Sequence, residues 1–173
     1  MRFDPDRQHR RSIRFPGNDY SRLDLYFVTI CTQGRECFLG DVERGEMRLA
    51  YAGRTVQSTW EALPRHYPHV RLDAFVVMPN HVHGILRLQE HDLSSAPRHA
   101  LGEIVRALKS FSARRINKRR GALGAPVWQR NYYERIIRDK DELMAIRRYI
   151  ADNPSKWADD PENPALQSID RLG

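Results

Sequence analysis

Two histidines separated by a single residue are the strongest chemical signal in this chain. His81 and His83 lie in a short segment that is preceded and followed by apolar runs. Side chains two residues apart in a β-strand point to the same face, so the two imidazoles would project side by side. Neutral imidazole is a common ligand for divalent metals, and two of them form half of a metal site. The alternative is a pair of surface histidines on an amphipathic strand.

A tyrosine and an asparagine near the C-terminus could complete such a site. Tyr149 and Asn153 are four residues apart in a predicted helix, so they lie on one flank. An asparagine oxygen together with two imidazoles suits Mg²⁺ or Mn²⁺. The Tyr149 phenol, with an ordinary pKa of about 10, is a nucleophile only when a metal or cationic neighbours activate it. The alternative is structural: the ring packs on the core, and Asn153 ends the helix before Pro154.

The distribution of charge points to a polyanionic partner. The chain of 173 residues carries a net charge of +7. Residues 98–140 alone contain twelve Lys and Arg against three Asp and Glu, and residues 7–14 form a second basic run. Concentrated positive charge is typical of nucleic-acid binding proteins. We expect no membrane partner, because the chain lacks a Trp-, Phe- and Leu-rich amphipathic anchor. The alternative is a solvated basic face with no partner.

Composition excludes several classes of protein. A hydrophobic content of 40% beside 29% charged residues suits one folded domain. No apolar stretch reaches the roughly 18 residues that span a membrane, and the N-terminal residues lack the apolar core of a secretory signal. We therefore expect a cytoplasmic, nucleoid-associated protein. Cys31 and Cys37 are expected to be free, and the absence of a C-x-x-C pair argues against a thiolate zinc site.

The hydrophobic pattern predicts an α+β fold. We predict strands over residues 25–32, 70–78 and 81–88, a loop and strand over 127–137, and helices over 54–66, 100–119 and 139–153. Asp139 is the expected N-cap of the last helix, with Glu142 three residues later. The order β-α-β-β-α-β suits a ferredoxin-like sandwich, an antiparallel sheet with helices on one face, followed by an extra C-terminal helix carrying the tyrosine. The histidines would lie on the open face.

The predicted organisation has three parts. We predict that residues 1–22 form a basic arm, residues 23–157 the folded domain, and residues 158–173 an acidic, irregular tail.

Three motifs, taken in order, resemble the single-tyrosine HUH transposases. They are the V-M-P-N-H-V-H-G segment around His81 and His83, the W-Q-R-N-Y-Y-E-R-I-I-R segment from Trp128, and Y-I-A-D-N-P from Tyr149. The basic arm and the segment from Asp19 to Thr32 are similar to the REP-associated tyrosine transposase branch. The resemblance covers roughly residues 10 to 157.

The resemblance assigns roles to these residues. It implies that Tyr149 is the nucleophile, that His81 and His83 bind Mg²⁺ or Mn²⁺, and that Asn153 fills the position of a third ligand. The implied substrate is single-stranded hairpin DNA, cut through a 5′-phosphotyrosine link. Tyr132 and Tyr133 are competing nucleophiles by residue type alone, although the family pattern gives them no chemistry.

Basic and polar residues outside the motifs are candidates for DNA contacts. They are Arg10, Arg11 and Arg14 in the arm, Arg106, Lys109, Arg114, Arg115, Lys118, Arg119 and Arg120 in the long helix, and Gln129 and Arg130 beyond it. Most would contact phosphates, and the arm would read bases at the foot of the hairpin.

Three other functions share some of these features. They are a non-catalytic module that binds hairpin DNA or structured RNA, a metal-dependent phosphodiesterase that uses water, and a structural metal domain. Related insertion-sequence transposases are dimers that exchange the tyrosine helix, whereas REP-associated members can act as monomers. The sequence does not resolve whether the protein is a monomer or a homodimer.

Overall fold

The computed structural model describes residues 25–89 and 99–169. The basic arm, with Arg10, Arg11 and Arg14, lies outside the described residues. Six strands are β1 (Leu25–Cys31), β2 (Gly40–Glu43), β3 (Glu46–Leu49), β4 (Val70–Val77), β5 (His81–Leu88) and β6 (Tyr133–Ile137). The helices are α1 (Tyr51–Glu61), α2 (Leu63–His66), α3 (Leu101–Arg120), α4 (Lys140–Asp152) and α5 (Pro164–Ile169), with 3₁₀ turns at Gln33–Arg35 and Pro154–Asp159.

The main sheet has the predicted ferredoxin-like topology. Its strands run in the order β4-β5-β1-β6, and every neighbouring pair is antiparallel. The first and third strands of the β-α-β-β-α-β unit therefore lie in the centre. The α+β sandwich expected from the sequence is confirmed.

Alternation along β1 divides the core into two layers. Val28 and Ile30 pack with the buried residues of α1 and α3, whereas Phe27 points to the other face. There it packs with Ile146 and Ile150 of α4. The face that we expected to be open is therefore covered in part by α4, because the apolar stripe of that helix needs an apolar surface on which to pack.

Helix α4 begins where the sequence predicts. The Asp139 carboxylate accepts a hydrogen bond of 2.8 Å from the Glu142 backbone N–H, the expected N-cap contact. Farther along, the Arg147 guanidinium donates two hydrogen bonds to Asp73, next to a register shift in β4. The first contact fixes the start of the helix, and the second helps to fix its position on the sheet.

Several local features differ from the prediction. The sequence predicts no strand between residues 32 and 54, but residues 40–49 form the β2–β3 hairpin. The helix predicted over residues 54–66 is instead two helices, α1 beginning at Tyr51 and α2 ending at His66, which meet at Ala62. The tail was expected to be irregular, but the structure places helix α5 there.

Two further expectations concern the cysteines and the membrane. Cys31 and Cys37 are both free, as predicted. Among the described helices, none combines the length and the apolar character needed to cross a membrane.

Candidate active site

The two histidines lie side by side on a central strand. In the register of β5 against β1, His81 is opposite Cys31 and His83 is opposite Thr29. Their ring centroids are 4.6 Å apart, which confirms the predicted same-face arrangement. Both side chains are nearly inaccessible, at 1% and 5% exposure. The alternative of two surface histidines is therefore wrong.

One nitrogen of each imidazole is engaged by a neighbouring polar group. His81 Nδ1 lies 2.9 Å from Asn80 Oδ1, and His83 Nδ1 lies 2.8 Å from Thr29 Oγ1. Metal-binding histidines are usually oriented in this way, with the other ring nitrogen held by a polar partner. The Nε2 atoms of the two rings are therefore the nitrogens that face the candidate site.

Helix α4 brings the tyrosine and the asparagine to the same place. The Tyr149 hydroxyl is 3.3 Å from His83 Nε2, and the two ring centroids are 5.2 Å apart. Asn153, one turn later, is buried, and its Nδ2 donates a long hydrogen bond of 3.4 Å to the Tyr149 carbonyl. Four side chains predicted from the sequence thus converge across the sheet–helix junction.

Burial keeps both imidazoles neutral. Desolvation lowers the pKa of His81 from 6.5 to about 4. The nearby Asn153 side chain opposes this shift in pKa, although His81 Nε2 has no partner in hydrogen-bond geometry. Burial, and then the neighbouring His81, lower the pKa of His83 well below 6.5. Neutral imidazole is the form that binds metal.

The donor set fits a divalent cation. His81 Nε2 and Asn153 Oδ1 are both buried and have no hydrogen-bond partner, a costly state for polar atoms that a cation would relieve. Within residues 25–89 and 99–169, no three His, Cys, Asp or Glu side chains converge. A metal at this site would therefore have two imidazoles and a neutral amide oxygen as its protein ligands, a set compatible with Mg²⁺ or Mn²⁺.

Comparison with known proteins identifies the family. The model of the family described as "Transposase IS200 like" matches residues 54–153, more than half of the chain. A Haemophilus influenzae protein with the provisional name REP-associated tyrosine transposase is 34% identical over 142 residues, which cover 80% of this chain and 74% of that protein. The chain belongs to the IS200-like transposase family. The resemblance to REP-associated tyrosine transposases is thereby confirmed.

Further comparisons extend over most of the chain, and two solved structures agree with the fold. A second Haemophilus influenzae protein, which bears no functional name, is 37% identical over 167 residues, covering 88% of this chain and 92% of its own. The solved structure of a REP-associated tyrosine transposase bound to a REP hairpin matches with a TM-score of 0.56 and 22% identity, over 77% and 67% of the two chains. A transposase candidate from Deinococcus radiodurans matches with a TM-score of 0.50 and 23% identity, over 78% and 94%.

The competing tyrosines occupy other positions in the transposase. The Tyr132 hydroxyl donates a hydrogen bond of 2.6 Å to Glu134, and its ring packs on the α1 and α3 layer. Tyr133 points the other way, toward Phe27, with ring centroids 6.2 Å apart. The two side chains therefore point to opposite faces of the sheet. The Tyr149 hydroxyl, by contrast, lies 3.3 Å from the imidazole of His83.

The predicted DNA-binding cations of α3 lie in the layer opposite the histidines. Arg106, Arg114, Arg115, Lys118, Arg119 and Arg120 are exposed. Three guanidiniums lie over aromatic rings: Arg114 over Phe111, Arg119 over Tyr51 and Arg120 over Phe38.

Lys109 is engaged inside the transposase. Its ammonium donates to the carbonyls of Gln129 and Arg130, at 2.7 and 2.9 Å. Burial lowers the pKa of this ammonium. Two of its three protons are therefore already used in joining α3 to the segment before β6.

The basic end of α3 and the histidines lie at the same end of the sheet. Arg120 is 3.9 Å from the ring centroid of Phe38, and the next residue, Leu39, donates its backbone N–H to the Pro79 carbonyl. Pro79 is two residues before His81. Gln129 lies at this end too, because its N–H donates to the Cys31 carbonyl, opposite His81.

Sequence reasoning missed two residues of the site, Asn80 and Thr29. Asn80 directly precedes His81, but in sequence it resembles an ordinary turn residue after Pro79. Thr29 meets His83 only through the pairing of β1 with β5. Asn80 could have been noticed because it is adjacent to His81. Thr29 could be identified only from the register of β1 against β5.

Proposed function

We propose that this transposase is a metal-dependent endonuclease and strand transferase for single-stranded DNA at REP-like hairpins, acting through a 5′-phosphotyrosine intermediate. One observation carries the proposal: the Tyr149 hydroxyl lies 3.3 Å from the Nε2 of buried His83. A phenol beside two neutral imidazoles combines a nucleophile with metal ligands. Packing alone does not require this combination.

His81, His83 and Asn153 are the residues that would hold Mg²⁺ or Mn²⁺. When bound, the cation would supply Lewis-acid polarisation of the scissile phosphate. The two unpartnered atoms, His81 Nε2 and Asn153 Oδ1, support this assignment because both are buried. Thr29 and Asn80 would hold the rings through their Nδ1 atoms.

Tyr149 would carry the covalent step. Its oxygen forms a bond to phosphorus while the bond from phosphorus to the 3′-oxygen breaks. The phenol loses its proton, and the departing 3′-oxygen gains one. Attack by another 3′-hydroxyl then reverses these changes, releases the tyrosine and reseals the strand. Because the link conserves the phosphodiester energy, no ATP is needed.

Binding to hairpin DNA would use the cations of α3 and the basic arm. Support comes from the exposure of six α3 cations and from the solved relative, which is a transposase bound to a REP hairpin. The basic end of α3 and the histidines share one end of the sheet, so a strand could pass over that end between the two layers. Gln129 and Arg130 would lie along this path.

A denaturing gel tests the proposal. Purified protein is mixed with end-labelled hairpin DNA from the sequence flanking its own gene, with Mn²⁺ or with EDTA. We expect a Mn²⁺-dependent band of protein joined to DNA that disappears in Tyr149→Phe. Tyr132→Phe is the matched control, since it also removes one phenol oxygen, and it should keep the adduct.

The other outcomes separate the alternatives. Cleavage without an adduct would favour a phosphodiesterase that uses water. Tight binding without either product, over several hairpins, would favour a non-catalytic DNA-binding module.

A further inference from the structure

We propose that Asn80 is a positioning residue that fixes the His81 ring in the tautomer protonated at Nδ1. The lone pair of Nε2 is then always directed into the site. The value of this arrangement for metal binding rests on the function proposed above. The tautomer itself does not depend on that proposed function, and it can be measured in the metal-free protein.

The orientation of the Asn80 amide is determined by two carbonyl groups. Its Nδ2 donates to the Arg35 carbonyl at 3.1 Å and to the Glu162 carbonyl at 2.8 Å. Both amide protons are therefore used. A flipped amide would place Oδ1 against two carbonyl oxygens, which cannot donate. The network thus directs Oδ1 toward His81.

This orientation decides where the imidazole carries its proton. Asn80 Oδ1 can only accept, so His81 Nδ1, 2.9 Å away, must donate. In a neutral ring, Nε2 then holds the lone pair. That atom is buried and has no hydrogen-bond partner. His83 differs, because the Thr29 hydroxyl beside its Nδ1 can either donate or accept.

Asn80 itself is held rigidly. It is fully buried, and its backbone carbonyl accepts from both the N–H and the hydroxyl of Thr32, at 2.9 and 3.0 Å. Its two carbonyl partners are also joined to each other, since the side chains of Arg35 and Glu162 form an ion pair. The C-terminal segment, the loop after β1 and the histidine strand therefore meet at one amide.

Long-range ¹H–¹⁵N correlation spectra of the metal-free protein test the inference. We expect His81 in the wild type to be a single tautomer with its proton on Nδ1. In Asn80→Ala the acceptor is lost, and the ring should become a mixture with the Nε2-protonated form. Mn²⁺ affinity, measured by calorimetry, should fall by about 10- to 100-fold, as is usual when a residue supporting a metal ligand is removed.

Two variants control for damage to the fold. Thr32→Val removes a buried hydroxyl that bonds to the Asn80 backbone but not to the imidazole, so it should lose stability and keep both the tautomer and the Mn²⁺ affinity. Asn80→Asp keeps an acceptor for Nδ1 and loses the donors to Arg35 and Glu162. We expect it to keep the tautomer and to lose stability.

The outcomes distinguish this inference from the proposed function. A wild-type His81 protonated at Nε2, or an Asn80→Ala protein with unchanged tautomer, would overturn it. If the wild type has the Nδ1–H tautomer but binds no Mn²⁺, the role of Asn80 in holding the ring stands and the proposed metal site falls.

Discussion

At the scale of single residues, the site depends on burial more than on charge. Burial lowers the pKa of His81 to about 4 and, together with the neighbouring His81, lowers the pKa of His83 well below 6.5. The sequence alone located Tyr149, the histidines and Asn153, because their spacing and motifs are visible in it. It did not reveal Asn80 and Thr29 as partners, because those contacts depend on strand register and on the turn.

The buried His81 predicts a pH dependence of stability in EDTA. Its folded pKa of about 4 lies below the ordinary 6.5, so the unfolded chain takes up a proton first as the pH falls. The stabilising contribution is complete above pH 6.5 and is lost down to about pH 4. It amounts to on the order of 3 kcal/mol.

The free energy of unfolding, measured by denaturation at pH values from 7.5 to 4, should therefore decline as the pH falls, and the decline should be shallower in His81→Gln than in the wild type. An unchanged slope in His81→Gln would contradict the assignment.

At the scale of elements, the tyrosine helix is the part whose placement matters most. Its start was predictable from Asp139, and its stripe of Ile146 and Ile150 from periodicity. The position of α4 on the sheet was not predictable, because it depends on packing against Phe27 and Ile85, which belong to strands distant in sequence. The β2–β3 hairpin was missed for another reason: its strands have only four residues each, too few for a clear alternation.

An ion pair should help to hold α4 on the sheet. Arg147 donates to both carboxylate oxygens of Asp73, at 2.8 and 2.5 Å. The hydrogen bonds from Arg147 hold the pKa of Asp73 below 3.8. The contribution is therefore present above about pH 4 and is lost as the pH falls through the lowered pKa.

Asp73→Asn should reduce stability by about 1 kcal/mol at pH 7, a modest value because the pair is partly exposed. The loss should shrink toward pH 3, as measured by urea denaturation. Glu46→Gln removes an exposed partner of Arg48 and should change stability by only a few tenths of a kcal/mol. An equal effect of the two substitutions would contradict the role given to Asp73.

At the scale of the whole molecule, the candidate site and the α3 cations lie on opposite faces of the main sheet. The imidazoles and Tyr149 lie on the α4 face of the sheet, and the α3 cations lie on the other. The sequence predicted both groups of residues and the fold that connects them. It did not predict that they occupy opposite layers, because that depends on which face each helix covers.

Salt dependence should reveal which cations contact DNA. Replacing an exposed phosphate-binding arginine weakens binding and lowers the slope of log K against log[salt] by about one unit. We expect this for Arg119→Ala and for Arg120→Ala, tested separately with hairpin DNA by fluorescence anisotropy. Arg48→Ala, which removes an exposed arginine of β3 paired with Glu43 of β2 and Glu46 of β3, should leave the slope unchanged. A wild-type slope in both α3 variants would exclude this end of the helix from the interface.

The most direct test of the central claim is to map the covalent bond to one residue. The adduct formed with Mn²⁺ is digested with nuclease and trypsin, and the peptides are analysed by mass spectrometry. Trypsin separates residues 149–156, where Tyr149 is the single tyrosine, from residues 131–135, which contain Tyr132 and Tyr133. We predict a nucleotide on the 149–156 peptide. A nucleotide on the 131–135 peptide, or cleaved DNA without any modified peptide, would contradict the account.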